Sequence, residues 1–140
     1  DGHTDDRVDA VVALSPQGIG NDGYTVDSYD TIDLPILFLT GSGDSKQGTR
    51  RDAYQEGPTG VGLAELWLEH GTAKHTFYGN LDMTKCDDSV DPCTGMRGAL
   101  RDAALAWADA HLDQNACAQA WLDQGKVLGR TALTLEWSQK

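Results

Sequence analysis

The chain has 140 residues, with 22 Asp and Glu against 11 Lys and Arg, and a formal net charge of −11. Nucleic-acid binding depends on clustered cationic side chains, so this charge argues against a nucleic-acid partner and favours a small-molecule one. No apolar run reaches the roughly 18 residues of a transmembrane helix, and no N-terminal signal sequence is visible. The chain starts at Asp1 without a methionine, which predicts a processed or truncated start.

Two short apolar segments near the start of the chain predict buried parallel strands. Residues 8–15, VDAVVALS, are apolar and β-branched and are followed by Pro and Gly. A polar connection rich in Gly and Asp then reaches about residue 33. Residues 36–39 repeat the apolar pattern, with Pro35 at the strand entry, where a missing N–H is tolerated, and with GSGD closing the strand.

The middle of the chain predicts a short helix and a third strand. Residues 49–56, TRRDAYQE, have a helical composition and are stopped by a Gly-Pro pair. A strand is expected at 63–68, where Glu65 and Trp67 alternate with leucines. This alternation predicts that one face of the strand is wetter and that the strand lies towards a sheet edge.

The C-terminal part predicts two helices. The first begins near Arg97, and its apolar stripe comprises Leu100, Ala103, Ala104, Trp107 and His111. Asn115 is expected to cap a second helix that runs to about Gln124, with Ala120 and Trp121 facing inward. The tail after it has no clear assignment. The order of all these elements predicts an α/β fold with a parallel sheet.

Three cysteines bear on the redox compartment. Cys86 and Cys93 are separated by six residues in the polar segment CDDSVDPC, a spacing that suits a local disulfide and matches no common zinc pattern. Such a disulfide predicts an oxidising location, secreted or periplasmic. Cys117 lies in an apolar helical pattern and is expected to be a buried free thiol.

The segment around those cysteines is also acidic. Its carboxylates are Asp82, Asp87, Asp88 and Asp91. They could hold calcium, but the segment lacks the alternate ligand spacing and the terminal glutamate of a calcium loop. A solvated acidic loop is therefore favoured, and neither a metal nor another cofactor is predicted.

Two residues that follow predicted strands could belong to a Ser-His-Asp site. Asp44 follows the second strand, and His75 follows the third in the segment TAKHTFYG. In such a site the carboxylate fixes the histidine tautomer and stabilises the imidazolium that forms during catalysis. The carboxyl ends of neighbouring parallel strands share one sheet edge, so the two loops are expected to meet. The alternatives are that Asp44 only completes a turn or caps a helix and that His75 is a solvated surface residue.

The remaining histidines and serines are weaker candidates. His70 directly follows the third strand and stays an alternative base, whereas His111 is expected to be a packed or rim residue and His3 to belong to a frayed terminus. The serines near strand ends are Ser15, Ser42 and Ser45. Each fits turn chemistry better than nucleophilic catalysis. The sequence contains no G-x-S-x-G nucleophile elbow.

Several segments together resemble the C-terminal half of α/β-hydrolases. They are DDRVDAVVALSPQG, DLPILFLTGSGDS, the pair Arg50-Arg51 followed by Tyr54, GPTG, LWLEHGTAKHTFYG and ALAWADAHL with AWL. Their order and spacing are most similar to the predicted dienelactone-hydrolase and acetylhydrolase-like bacterial esterases. The resemblance covers nearly all of residues 1–140, as the C-terminal part of a single domain without the nucleophile elbow and oxyanion-hole strands.

The resemblance implies a serine ester hydrolase in which Asp44 is the triad acid and His75 the triad base. The nucleophile and oxyanion donors would come from an N-terminal half, so a companion polypeptide or a longer parent chain is expected, and this chain alone is expected to be inactive. The connection of residues 16–30, with Tyr24, is expected to line part of the substrate pocket. Two alternatives stay open: the same fold with dehalogenase or C–C hydrolase chemistry, and a non-catalytic binding module.

Overall fold

The structure is a computed structural model that describes residues 5–44, 47–71, 73, 93–129 and 134–140, without the side chains of residues 47, 48 and 93. The described residues form a four-stranded, mostly parallel sheet flanked by helices. The predicted α/β class with a parallel sheet is therefore confirmed.

Three of the four strands lie where the sequence predicts them, but the prediction that the first is buried is wrong, since its Val12 and Leu14 are exposed. The strands are β1 (Val11–Leu14), β2 (Ile36–Gly41), β3 (Leu63–Leu68) and β4 (Leu135–Gln139). The α-helices are α1 (Gln47–Arg50), α2 (Asp52–Glu56), α3 (Cys93–His111) and α4 (Ala116–Asp123), and two 3-10 helices span Val26–Tyr29 and Lys126–Gly129. The predicted helix over residues 49–56 is thus divided into α1 and α2.

The sheet has the order β1-β2-β3-β4. β1, β2 and β3 run parallel, with Leu14 beside Leu39 and Leu39 beside Leu66. β4, which the sequence left unassigned, pairs antiparallel with β3 and sets Trp137 beside Leu66. The carboxyl ends of the three parallel strands consequently lie at one edge of the sheet.

Helices cover both faces of the sheet. On one face, α3 packs against the alternate leucines of β2 and β3 through Met96, Ala99, Ala103 and Trp107, which recur every three or four residues and are buried. The prediction that Ala103 and Trp107 belong to the apolar stripe of this helix is confirmed. On the other face, a second cluster consists of Tyr29, Phe38, Ala53 and Leu63.

The prediction that β3 lies towards a sheet edge with a wet face is wrong. β3 lies between β2 and β4, all six of its residues are buried, and Glu65 is 1% exposed. The polar side chain of Glu65 can be buried because Arg51 pairs with it. Its guanidinium contacts Glu65 Oε2 at 2.6 Å and Glu136 Oε2 at 2.9 Å, and it lies 4.8 Å from the centre of the Trp67 ring.

The capping prediction for α4 is confirmed, but its predicted orientation is partly wrong. Asn115 Oδ1 accepts hydrogen bonds from the backbone N–H groups of Cys117 (2.9 Å) and Ala118 (3.3 Å). Cys117 is an exposed free thiol, and Ala120 is also exposed. The helix has only about two turns and buries Leu122, while Trp121 is half-buried against the same core as predicted, so residues on its other side stay in solvent.

Some predictions fall on residues that the structure does not describe. They include the acidic segment with Asp82, Asp87, Asp88 and Asp91, and also the Cys86–Cys93 disulfide, because neither Cys86 nor the side chain of Cys93 is described; these stay predictions. Within the described ranges, none of the helices combines the length and the apolar character needed to cross a bilayer.

A first prediction concerns the pH dependence of stability at Glu65. Burial raises the pKa of the Glu65 carboxyl above its ordinary 4.5, and the adjacent Arg51 offsets only part of this rise. Folding therefore favours the protonated form, and this contribution to the free energy of unfolding is full below pH 4.5 and is lost as the pH rises through the folded pKa. Glu65→Gln is expected to remove this decrease in the free energy of unfolding with rising pH. Urea unfolding across a pH series measures it.

Glu69→Gln is the control for that series. Glu69 accepts a hydrogen bond from Trp67 Nε1 (2.8 Å), and this bond lowers the pKa of its exposed carboxyl. Its small contribution is present above the unfolded pKa and is lost as the pH falls through the lowered folded pKa, which is the opposite sign. Equal pH profiles for the unsubstituted chain and Glu65→Gln would contradict the account of Glu65.

Candidate functional site

The candidate site is centred on Asp44, at the carboxyl end of β2. The strand ends at Gly41, and the Asp44 N–H donates to the Gly41 carbonyl (3.3 Å), which closes a tight turn. The Asp44 residue is only 2% exposed. A carboxylate buried to this degree requires hydrogen-bond donors or a cation beside it, because burial without them costs several kcal/mol.

Two side chains supply such donors to one carboxylate oxygen. Ser15 Oγ donates to Asp44 Oδ2 at 2.7 Å, and Arg50 Nε donates to the same oxygen at 3.1 Å. Arg50 is itself buried. Its NH1 group donates to the carbonyls of Ser15 (3.1 Å) and Pro16 (2.8 Å) and to Gln17 Oε1 (3.1 Å). Arg50 therefore joins the loop after β1 to the turn after β2.

Ser15 occupies an uncommon backbone conformation at the end of β1. Its φ is +49°, in the left-handed region that a non-glycine residue rarely adopts. Its N–H donates to the Leu39 carbonyl (2.8 Å), which extends the hydrogen bonding between β1 and β2. Its side chain is buried. Ser15 lies in a turn, as predicted. The prediction did not include its side-chain hydrogen bond to Asp44.

The loop after β3 packs directly against the Asp44 turn. Ser42 N–H donates to the Leu68 carbonyl (3.0 Å), and a Cβ added at Gly43 would lie 2.6 Å from the Gly71 carbonyl oxygen. Farther along the chain, Ala73 is buried and donates its N–H to the His70 carbonyl (2.9 Å). The segment that leads towards His75 therefore passes the Asp44 turn, although His75 itself lies outside the described residues.

The described histidines occupy different ends of the sheet. His111, at the end of α3, lies against Trp107 with the ring centres 4.1 Å apart, and burial lowers the pKa of its imidazole. Its Cε1 would be 3.7 Å from a Cβ on Gly62, the residue before β3. A six-residue strand spans roughly 17 Å, so His111 lies too far from Asp44 to act with it. The His70 backbone, by contrast, adjoins Gly43.

The predicted pocket residue Tyr24 is 41% exposed and stacks on Tyr29, with ring centres 6.0 Å apart. Tyr29 in turn donates its hydroxyl proton to the Gln17 carbonyl (3.0 Å). Tyr24 is therefore linked through Tyr29 and Gln17 to the Arg50 side chain.

Of the other candidates, His3 and Ser45 lie outside the described residues.

Sequence reasoning identified Asp44 but missed the roles of Ser15 and Arg50 around it. In the sequence Arg50 belongs to a basic pair with Arg51, and nothing in that pair indicates which arginine reaches Asp44. No group of three metal-binding side chains is found among the described residues. Chemically, the arrangement is a buried carboxylate with one oxygen held by two donors, at the sheet edge where a histidine-bearing loop arrives.

Comparison with known proteins adds no family assignment, because neither a protein-family model nor a curated protein sequence matches the chain. Function is therefore inferred from the geometry around Asp44 and from the sequence resemblance.

A second prediction tests the contact between the two loops. Gly43→Ala would place a Cβ 2.6 Å from the Gly71 oxygen and 2.8 Å from the His70 oxygen, so the backbones must separate. The free energy of unfolding is expected to fall by about 1–3 kcal/mol. Gly71→Ala is the matched control, since its added Cβ meets nothing within 4 Å. Thermal unfolding measures both, and equal melting temperatures would contradict the contact.

Proposed function

We propose that this chain is the C-terminal half of an α/β-hydrolase and supplies the acid and the histidine of a serine ester hydrolase. A serine outside this chain attacks the ester carbonyl, and His75 accepts the serine proton. Asp44 orients His75 and stabilises the imidazolium until the proton passes to the leaving alcohol. Water then attacks the acyl-enzyme, with His75 again as the base, and releases the acid.

The observation that carries the proposal is the buried Asp44 carboxylate at the carboxyl end of a parallel strand. Sites in open parallel sheets form beyond these ends, and Asp44 is held there by Ser15 and Arg50. A turn residue left in solvent would need no such partners, whereas Asp44 is buried and paired with Arg50 at this strand end. The contact of Gly43 with the backbone of His70 and Gly71 supports the pairing of Asp44 with the loop that carries His75.

Among the described residues no strand pairs with the outer edge of β1, and this edge supports a companion polypeptide. Val11 and Ser15 direct their N–H groups to β2, so the backbone groups of Val12 and Leu14 face away from it. Val12 and Leu14 are 37% and 48% exposed, beside buried Leu37 of the neighbouring strand. Parallel strands are ordinarily covered on both faces, and an open apolar edge promotes association.

The occupant that we propose for this edge is the N-terminal half of the same fold. It would add a strand parallel to β1 and a helix over Val12 and Leu14, and it would bring the serine nucleophile to the same sheet edge as Asp44. Its docking would extend the core cluster that already contains Leu37 and Leu39. A second copy of this chain is disfavoured because each copy carries a net charge of −11.

A third prediction tests the catalytic assignment in protein purified under native conditions through a tag on this chain. The preparation is expected to hydrolyse a short-chain nitrophenyl ester and to be labelled by a serine-reactive phosphonate. His75→Ala is expected to lower kcat by about 10³-fold or more, because loss of one triad member removes most of the rate enhancement.

His70→Ala is the control for that experiment, since His70 follows the same strand. Turnover within about twofold of the unsubstituted protein is expected for His70→Ala, because the proposal gives it no proton transfer. Loss of turnover in His70→Ala but not in His75→Ala would assign the base to His70 instead. Absence of both turnover and labelling in the unsubstituted protein would favour a non-catalytic binding module.

A fourth prediction tests the β1 edge. Val12→Lys with Leu14→Lys is expected to abolish co-purification of the companion, identified as the polypeptide that carries the phosphonate-labelled serine. Charges at a desolvated apolar contact are costly, which explains the expected loss. Leu105→Lys is the control, because Leu105 is exposed on α3 beside Ala118 and Trp121 of α4. Equal recovery of the companion with both variants would contradict docking at β1.

A further inference from the structure

We propose that Arg50 and Ser15 are positioning residues that fix Asp44 through its Oδ2 oxygen and so direct Oδ1 towards the catalytic histidine. This inference rests on the proposed function, since it assigns the two residues to the same site. Neither residue touches substrate in this account. Their effect on catalysis is exerted through the orientation of the carboxylate.

The choice of oxygen follows from the contacts. The Ser15 hydroxyl (2.7 Å) and Arg50 Nε (3.1 Å) both donate to Oδ2. A carboxylate oxygen has two lone-pair positions, so these donors fill Oδ2. A histidine N–H that donates to Asp44 with good geometry must therefore donate to Oδ1. Two donors on one oxygen also prevent the carboxylate from rotating about its Cβ–Cγ bond.

The Arg50 guanidinium connects the acid to a second loop. While Nε donates to Asp44, NH1 donates to the carbonyls of Ser15 and Pro16 and to the side chain of Gln17. These residues begin the connection that is expected to line the substrate pocket. The orientation of Asp44 is thus tied to the loop after β1, and a single lysine ammonium could not reproduce this planar fork.

Stability alone is a weak explanation for this buried pair. The side chains of Arg50 and Asp44 are 5% and 0% exposed. Removing two charges from water costs several kcal/mol per ion, and well-packed apolar residues often replace such pairs without loss of stability. A buried pair at a loop junction beyond a strand end fits a positioning role better than a structural one.

The adjacent arginine provides a matched comparison within the same chain. Arg51 also pairs with a buried carboxylate, that of Glu65, but this pair lies in the middle of β3, and the Arg51 side chain is 26% exposed. Glu65 belongs to the face that packs under α2, where it joins the helix to the sheet. Arg51 is therefore assigned a structural role with no part in orienting Asp44.

The experiment compares Arg50→Lys, Ser15→Ala and Arg51→Lys in the natively purified assembly, with ester turnover and thermal unfolding measured for each. Arg50→Lys and Ser15→Ala are each expected to lower kcat by about 10-fold or more with KM unchanged, since they misplace the acid without altering substrate contacts. Arg51→Lys is expected to lower the melting temperature and to leave kcat within about twofold.

Ser15→Ala keeps the test decisive if Arg50→Lys does not fold. Alanine has the same Cβ as serine, so the backbone at φ +49° is no more strained, and only the hydroxyl is lost. Unchanged kcat in Ser15→Ala would overturn the positioning role while leaving the proposed function intact, as judged by the turnover of the unsubstituted assembly and its loss in His75→Ala. No turnover by the unsubstituted assembly would overturn both.

Discussion

The buried ion pair between Asp44 and Arg50 is the interaction on which the candidate site depends. Asp44 follows β2 after a tight turn, and Arg50 ends α1 six residues later, where its guanidinium contacts Asp44 Oδ2. The same guanidinium also reaches the carbonyls that follow β1. One side chain thereby sets the relative positions of two loops and of the carboxylate between them.

The rest of the sheet supplies a rigid base for this edge. β2 is the central parallel strand, with β1 and β3 in register on either side, and α3 buries its small side chains against it. Close packing at Gly43 then brings the loop after β3 against the Asp44 turn. The carboxyl edge is consequently built from backbone contacts and buried hydrogen bonds, which hold functional groups more rigidly than exposed loops do.

The positions of β1 and β2 were predictable from sequence because their apolar runs are short and end in turn residues, although β1 is only partly buried. Asp44 was predictable for the same reason, since its position depends only on where β2 ends. β4 was not, because its weak alternation becomes a strand only through pairing with β3. The burial of Glu65 was missed because it requires Arg51, which lies on another element.

The contacts made by Arg50 and Ser15 could not be predicted from the sequence either. Asp44 is six residues from Arg50 and 29 from Ser15, and no local pattern reports contacts over such separations. The inward side of α4 was misjudged for a related reason. A helix of eight residues has too few apolar positions for periodicity to fix its buried side, and Leu122, rather than Ala120, meets the core.

The proposed site requires that the Asp44 carboxylate receives a hydrogen bond from His75. A crystal structure of the native assembly measures this directly, as the distance from Asp44 Oδ1 to His75 Nδ1. We expect a hydrogen bond of about 2.7–3.2 Å to that oxygen, with Ser15 and Arg50 on Oδ2. A His75 side chain directed away from Asp44, with no histidine nitrogen within hydrogen-bond distance of either carboxylate oxygen, would contradict it.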